Sequence, residues 1–290
     1  MAGSKSEKRL VFGGDLMPSE LCIYDLATGQ TAVVLAHDGH IEAPNWHPDG
    51  SLIVNGGGLI YRVPLAAPAL HQVDTGFATG CNNDHGLSPD GLTLALSDKT
   101  ETGKSCIYLM PLAGGLPKRI TTHVPSWWHG WSPDGTRLVY AAVRRSDGPV
   151  SLYSCDVDGS DERCVSQDFD HIDGPDYSAD GQWIWFNGER AGAVDLWRIH
   201  PDGTGLQQMT DDPAVNWFPH PSPDGQHVVY LAYPPGTRGH PGGLDVALRL
   251  LPQAGGPSRE LVRLYGGQGT INVPSWAPDS RRFAFMRFTR

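Results

Sequence analysis

Long apolar runs are missing from this 290-residue sequence, so it offers no transmembrane helix, which needs about 20 consecutive apolar residues. The opening residues, M-A-G-S-K-S-E-K-R, also lack the apolar core of a secretion signal. These two absences predict a cytoplasmic protein, or a periplasmic one if a leader has been removed.

Positive charge is scarce as well. Lys and Arg total 22 against 32 Asp and Glu, which gives a formal net charge of −10. A surface that binds nucleic acid or anionic lipid needs a basic patch. The charge balance therefore predicts no nucleic-acid partner and no insertion into a membrane.

Cysteine is too rare, and its spacing too irregular, for a disulfide framework. The chain has five cysteines, an odd number, and none of them stands in C-x-x-C spacing. Cys155 and Cys164 flank the turn D-G-S-D at 158–161, so we expect them to face each other across a hairpin. A disulfide is geometrically possible there. Two buried thiols are the alternative.

A repeat dominates what the sequence does contain. The segment W-S-P-D-G-T-R-L-V-Y at 131–140 recurs five more times in altered form, at intervals of 41 to 55 residues. Each copy joins two short β segments through a turn. Six such copies predict an all-β fold, a six-bladed β-propeller with four strands per blade. The turn aspartates that define the copies are Asp49, Asp90, Asp134, Asp180, Asp224 and Asp279.

Both ends of the chain are predicted to share one blade. The last repeat stops after the strand at 282–288, and segments 21–26 and 32–35 match the two strands that it lacks. Closing the ring in this way removes an exposed sheet edge. We expect one propeller domain over residues 9–290, preceded by a disordered or vector-derived tail at 1–8. Segment 10–12 either competes with 283–285 for its place or adds a fifth strand.

Loops that precede the first strand of each blade should converge at one mouth of the central channel, where repeat folds usually bind ligands. Aligned on the turn aspartate, the residues four to seven positions upstream differ strongly between copies. Imidazoles and carboxylates in these rows could hold a divalent metal ion, namely Mn, Zn, Fe, Ni or Ca. Strand capping is the alternative. The predicted ligands are His85, His129, His220, Asp176 and Glu42.

The same mouth is expected to hold catalytic and substrate-binding groups. Asp84, Asp173 or His129 would act as a general acid or base. Indoles beside amides suit a small, sugar-like ligand, because its C–H faces stack while its hydroxyls form hydrogen bonds. The insertion at 233–243 could act as a lid that brings Arg238 and His240 to the mouth. The predicted substrate-binding residues are Asn83, Trp127, Trp128, Trp217, Asn272, Arg190 and Arg238.

The W-S-P-D-G repeats resemble those of TolB-type propellers, the WD40-like PD40 repeat group, over nearly the whole chain. A bacterial group of TolB-like single propellers is more similar still. The segments that carry this resemblance are C-N-N-D-H-G-L-S-P-D-G at 81, W-W-H-G-W-S-P-D-G at 127, D-G-P-D-Y at 173, N-W-F-P-H-P-S-P-D-G at 216 and G-G-Q-G-T-I-N-V-P-S-W at 266.

More distantly, the segment at 127 resembles the H-E-F-W-S-P-D-G type of segment in oligogalacturonate lyases. That resemblance implies a metal ion held by histidines near the axis and a β-elimination on an acidic sugar. We therefore expect a metal-dependent lyase or hydrolase that acts on a small carbohydrate-like substrate. The alternative is a non-catalytic propeller that binds a protein, a peptide or a glycan.

Overall fold

The computed structural model describes residues 17–166 and 168–290, and these residues form 23 β-strands. Strands β1 (Ser19–Asp25) and β2 (Gln30–His37) belong to the blade that closes the ring. The next twelve strands build three four-stranded blades in chain order. They are β3 (Glu42–His47), β4 (Ser51–Gly56), β5 (Leu59–Pro64), β6 (His71–Gln72), β7 (Cys81–Leu87), β8 (Thr93–Asp98), β9 (Cys106–Pro111), β10 (Lys118–Arg119), β11 (Ser126–Trp131), β12 (Arg137–Ala142), β13 (Ser151–Asp156) and β14 (Arg163–Ser166).

Two further four-stranded blades follow, and the last strand of the chain returns to the closing blade. All neighbouring strands pair antiparallel. The described residues contain no helix that could cross a membrane. The remaining strands are β15 (His171–Tyr177), β16 (Ile184–Arg190), β17 (Ala193–Ile199), β18 (Gln207–Gln208), β19 (Val215–Pro221), β20 (His227–Tyr233), β21 (Leu244–Pro252), β22 (Arg259–Gly266) and β23 (Arg282–Phe288).

The predicted ring closure is confirmed. Strand β1 lies between β2 and β23, and its register places Leu21 opposite Met286. A single bridge between Trp276 and Phe283 adds the innermost segment of this blade. The predicted tail at 1–8 and the leftover segment 10–12 lie outside the described residues.

The repeated turn is held by the same local hydrogen bonds in successive blades. In the third blade, Ser132 Oγ donates to Asp134 Oδ1 at 2.6 Å, and the Thr136 amide donates to the same oxygen at 3.0 Å. These bonds lower the pKa of Asp134. Gly135 follows with a φ of 71°, a left-handed conformation that glycine adopts without strain. The S-P-D-G motif is therefore a local structural signal, which explains why it predicts the fold.

Aromatic residues seal the joints between blades. Trp128 on β11 is 1 % exposed and packs across the joint against Gly86 on β7. The Trp276 indole N–H donates to the His220 carbonyl at 2.8 Å and so ties the closing blade to its neighbour. Each joint thus has its own apolar cluster, which fixes the angle between adjacent blades.

The predicted alignment of two cysteines across a hairpin is wrong. Cys164 on β14 stands opposite Tyr153, and Cys155 pairs instead with Leu138 on the other side of β13. Both thiols are free, Cys155 being buried and Cys164 exposed. The turn is tighter than the sequence count assumes: the Asp156 amide donates to the Ser160 carbonyl at 2.9 Å and Ser154 pairs with Arg163, which sets Cys164 opposite Tyr153.

Candidate functional site

The first strand of each blade lies nearest the axis, where it contacts the first strand of the next blade. In all five four-stranded blades, this strand carries a β-bulge close to its start. Ala43, Gly174 and Phe218 adopt left-handed φ values of 53°, 56° and 55° in three of these bulges. A bulge bends its strand and re-aims the side chains beside it. The register shifts lie at Glu42/Asn45, Cys81/His85, Trp128/Gly130, Asp173/Asp176 and Trp217/His220.

Residues upstream of these bulges line a cavity of about 1350 Å³ at the mouth of the ring, which we call the axial cavity. Every blade contributes the residue that stands seven positions before its turn aspartate. None of the residues four or five positions before that aspartate lines the cavity. The bulge therefore separates a row that faces the ligand space from rows that lie beneath it. The six residues of the facing row are Glu42, Asn83, Trp127, Asp173, Trp217 and Asn272.

Asp173 is the most heavily contacted carboxylate of the cavity. Its Oδ1 lies 2.8 Å from His129 Nε2, while its Oδ2 lies 3.5 Å from His240 Nε2 and 4.0 Å from His171 Nε2. Burial alone would raise the pKa of Asp173, but the surrounding imidazoles lower it well below its usual range. Asp173 is therefore ionised at neutral pH.

The three imidazoles respond differently to their surroundings. Burial favours the neutral ring of His129, yet the carboxylates of Asp84 and Asp173 outweigh it and raise the pKa of His129. Asp173 likewise overcomes burial and raises the pKa of His171. Burial lowers the pKa of His240, whose Nδ1 also contacts Gln268 Oε1. One carboxylate is thus surrounded by imidazoles with different proton affinities.

Asp84 has the opposite environment to Asp173. It lies in the bulge of β7 and is 6 % exposed, and the amide of Asn82 donates to its carboxyl group. Burial, reinforced by the charge of Asp173, raises the pKa of Asp84 to about 7. A carboxyl group that titrates near neutral pH can donate a proton and take it back.

Glu42 lies across the cavity and pairs with a histidine of its own blade. Its Oε1 lies 2.6 Å from His40 Nε2. Burial opposes the charged ring of His40, but Glu42 raises the pKa of His40 above its usual value. This pair forms a second polar group on the cavity wall.

The predicted metal-ligand set does not assemble. His220 is fully buried, with Nδ1 at 3.1 Å from Asp176 Oδ2 and Nε2 at 2.8 Å from the Ile271 carbonyl, so neither nitrogen is free. His85 is also fully buried beside backbone groups of Ile53 and Asn83, and burial lowers its pKa to about 4. Across residues 17–166 and 168–290, no three His, Cys, Asp or Glu side chains are arranged to hold a metal ion. The donor set therefore does not fit the predicted cation.

Four predicted substrate-binding residues lie on the cavity wall: Asn83, Trp127, Trp217 and Asn272. The other three lie elsewhere. Trp128 is buried in the joint between two blades. The guanidinium of Arg190 stacks 4.0 Å from the centre of the Phe169 ring, and Arg238 is exposed in the insertion, outside the cavity lining.

The lining also includes residues that the aligned rows did not single out. His40 and His171 stand nine positions before their turn aspartates, two positions upstream of the facing row, and an alignment extended that far could have revealed them. His240 comes from the insertion, as the predicted lid would require, and its ring lies 4.4 Å from that of Trp217. Gln268 and Glu189 lie outside the repeat alignment, so no repeat signal marks them.

Comparison with known proteins places this chain among propellers. No family model matches it. An uncharacterized protein of Agrobacterium fabrum (strain C58 / ATCC 33970) is 46% identical over 291 residues, which cover 99% of each chain. The structure of a putative TolB from Agrobacterium tumefaciens is also 46% identical and has a TM-score of 0.91, covering 94% of this chain and 99% of that one.

Two further structures share the fold alone. TolB from Acinetobacter baumannii is 21% identical, with a TM-score of 0.67 over 88% of this chain and 65% of that one. An oligogalacturonate lyase in complex with manganese is 17% identical, with a TM-score of 0.54 over 85% of this chain and 67% of that one. On the strength of the relatives at 46% identity, the chain belongs to the TolB-like family of six-bladed β-propellers.

Proposed function

We propose that the axial cavity is the active site of a hydrolase that cleaves a small, polar, carbohydrate-like substrate by general acid–base catalysis. One observation carries the proposal: two carboxyl groups line one cavity in surroundings that shift their pKa values in opposite directions. The pKa of Asp84 is raised to about 7 by burial, whereas the neighbouring imidazoles lower the pKa of Asp173 well below its usual range. Paired carboxyl groups whose environments separate their pKa values are the usual acid and base of glycoside cleavage.

In this proposal, Asp84 donates its proton to the leaving oxygen of the substrate. Asp173 stays ionised and either stabilises the positive charge that develops on the sugar ring or activates a water molecule. His129 is a positioning residue, because it is 1 % exposed and its Nε2 holds Asp173 Oδ1 at 2.8 Å. A lyase would use the same pair, with Asp173 taking the proton and Asp84 returning one to the leaving group.

The walls of the cavity suit a ligand of this class. The partly exposed indole of Trp127 offers an apolar face, and the amide of Asn83 offers hydrogen bonds. Trp217 and Asn272 complete the wall with only 1 % of their surface exposed. A volume of about 1350 Å³ accommodates a short oligosaccharide. The divalent metal ion of the sequence-based hypothesis is not part of the proposal, because His85 and His220 lie beneath the wall rather than on it.

The test is turnover of a panel of oligosaccharides by purified protein in the presence of EDTA, with products identified by mass spectrometry. Hydrolysis yields products that have gained water, whereas elimination yields an unsaturated, ultraviolet-absorbing product. We expect Asp84→Asn and Asp173→Asn each to lower turnover by about 10²-fold or more. Asp158→Asn, in an exposed turn, is the matched control. Equal turnover in the three variants would refute the assignment, and binding without turnover would support a non-catalytic propeller.

A further inference from the structure

The axial cavity is lined by four carboxyl groups, and the basic side chains among its described lining residues are the imidazoles of His40, His171 and His240. Glu42, Asp84, Asp173 and Glu189 line it, and none of its described lining residues is Lys or Arg. Two arginines at the ends of nearby strands interact with other side chains instead. Arg144 binds Glu162 at 2.8 Å and Arg190 stacks over Phe169 and Trp197. The cavity therefore offers negative charge to a ligand and no guanidinium or ammonium group.

Imidazoles contact two of these carboxyl groups directly. Glu42 contacts His40, and Asp173 contacts His129, His171 and His240. Within the described part of the chain, the side chain of Glu189 makes no hydrogen bond or ion pair, whereas Asp84 accepts from the amide of Asn82 and faces the charge of His129. Glu189 is therefore the lining carboxylate that a cationic group of a ligand can pair with.

A polar side chain next to Asp84 in the chain also lacks a hydrogen-bond partner among the described residues. Asn83 is 4 % exposed, lines the cavity, and its amide makes no hydrogen bond to any described residue. Buried amides are normally hydrogen-bonded, and an exception that faces a cavity marks a place for a ligand group. The partly exposed indole of Trp127 lies on the same wall, and indole faces attract ammonium groups.

We infer that the substrate of this cavity is cationic, a sugar-sized molecule with a protonated amine that Glu189 receives, such as an amino sugar. The inference rests on the proposed function, because it names the substrate class of the same site. This substrate differs from the acidic sugars that the distant lyase resemblance implies, since none of the described residues on the wall is the Lys or Arg that usually binds a sugar carboxylate.

Calorimetric titration with three trimers of similar size tests the inference, in EDTA and at low salt. The trimers are built of glucosamine, N-acetylglucosamine and galacturonic acid, so they differ in charge. We expect the glucosamine trimer to bind at least about tenfold more tightly than the neutral one, with an affinity that falls as salt is added.

Two charge variants locate the effect. Glu189→Gln should weaken binding of the glucosamine trimer by about tenfold and leave the neutral trimer unaffected. Glu260→Gln, on the exposed outer strand β22, should change neither. Equal or tighter binding of the neutral or the acidic trimer would overturn the inference, as would the absence of binding of the glucosamine trimer. Cleavage of the neutral trimer in that event would leave the proposed hydrolase standing, so the two failures are distinguishable.

Discussion

His129 Nε2 lies 2.8 Å from Asp173 Oδ1, although the two residues come from the innermost strands of adjacent blades. The contact is almost closed to solvent, since the side chain of His129 is 1 % exposed and that of Asp173 15 %. A propeller blade alone cannot form such a pair. It exists only because bulges at the starts of β11 and β15 bring the two side chains together at the axis.

Asp173→Asn should release the proton of His129. Burial favours the neutral ring, and the carboxylates of Asp84 and Asp173 raise the pKa of His129 against that tendency. Without the Asp173 charge, we expect the pKa of His129 to fall, as measured by NMR titration of its imidazole. Asp158→Asn should leave the His129 titration unchanged. An unaltered His129 pKa in Asp173→Asn would mean that the pair does not control protonation of the site.

Asp84→Asn should stabilise the protein, and more so at higher pH. The folded-state pKa of Asp84 is raised to about 7, so the wild-type protein loses stability as pH rises between about 4 and 7 and the buried group ionises. A shift of about three units corresponds to at most about 4 kcal/mol. Urea unfolding at pH 4, 5.5 and 8 measures it. The variant should match the wild type at pH 4 and exceed it at pH 8. A constant difference across this range would contradict the assigned shift.

The variants His220→Ala and His171→Ala test whether His220 is needed for stability while His171 belongs to the cavity wall. His220 is fully buried, and both its ring nitrogens have partners, so its loss leaves Asp176 and the Ile271 carbonyl unsatisfied. We expect a loss of about 2–3 kcal/mol in unfolding free energy. His171 is 33 % exposed on the cavity wall, so its removal should cost less than about 1 kcal/mol. Similar losses in the two variants would contradict this division.

Much of the fold is predictable because the repeated turn is local. Each S-P-D-G copy satisfies its own hydrogen bonds, so its recurrence reports blade number without knowledge of any long-range contact. Ring closure follows from the two strands missing after the last copy. The alignment on the turn aspartate also identifies one residue per blade at the cavity, from Glu42 to Asn272.

The predicted set of metal ligands does not assemble, because a bulge interrupts the strand between the turn and the mouth of the ring. Alternation along a regular strand would place His85 and His129, five positions before the aspartate, on the same face as the residues seven before it. The bulges at Cys81/His85 and Trp128/Gly130 break this alternation, and neither histidine lines the cavity. A bulge has no signature in a single sequence, so the sequence does not show which histidines of a strand reach the cavity and which lie beneath its wall. The insertion that supplies His240 is similarly outside the repeat, and its path depends on contacts such as that from Tyr233 Oη to the Pro241 carbonyl at 3.2 Å.

Gly86→Ala tests whether Trp128 belongs to the blade joint rather than to the ligand site. A Cβ on Gly86 would overlap the six-membered ring of the Trp128 indole, which is 1 % exposed and has no room to withdraw. We expect overpacking to cost about 1–3 kcal/mol in urea unfolding, with ligand affinity retained by the folded fraction. In Gly242→Ala the nearest atom would lie 3.8 Å from the new Cβ, so that variant should unfold like the wild type. A stable Gly86→Ala protein that has lost its ligand would instead return Trp128 to the binding surface.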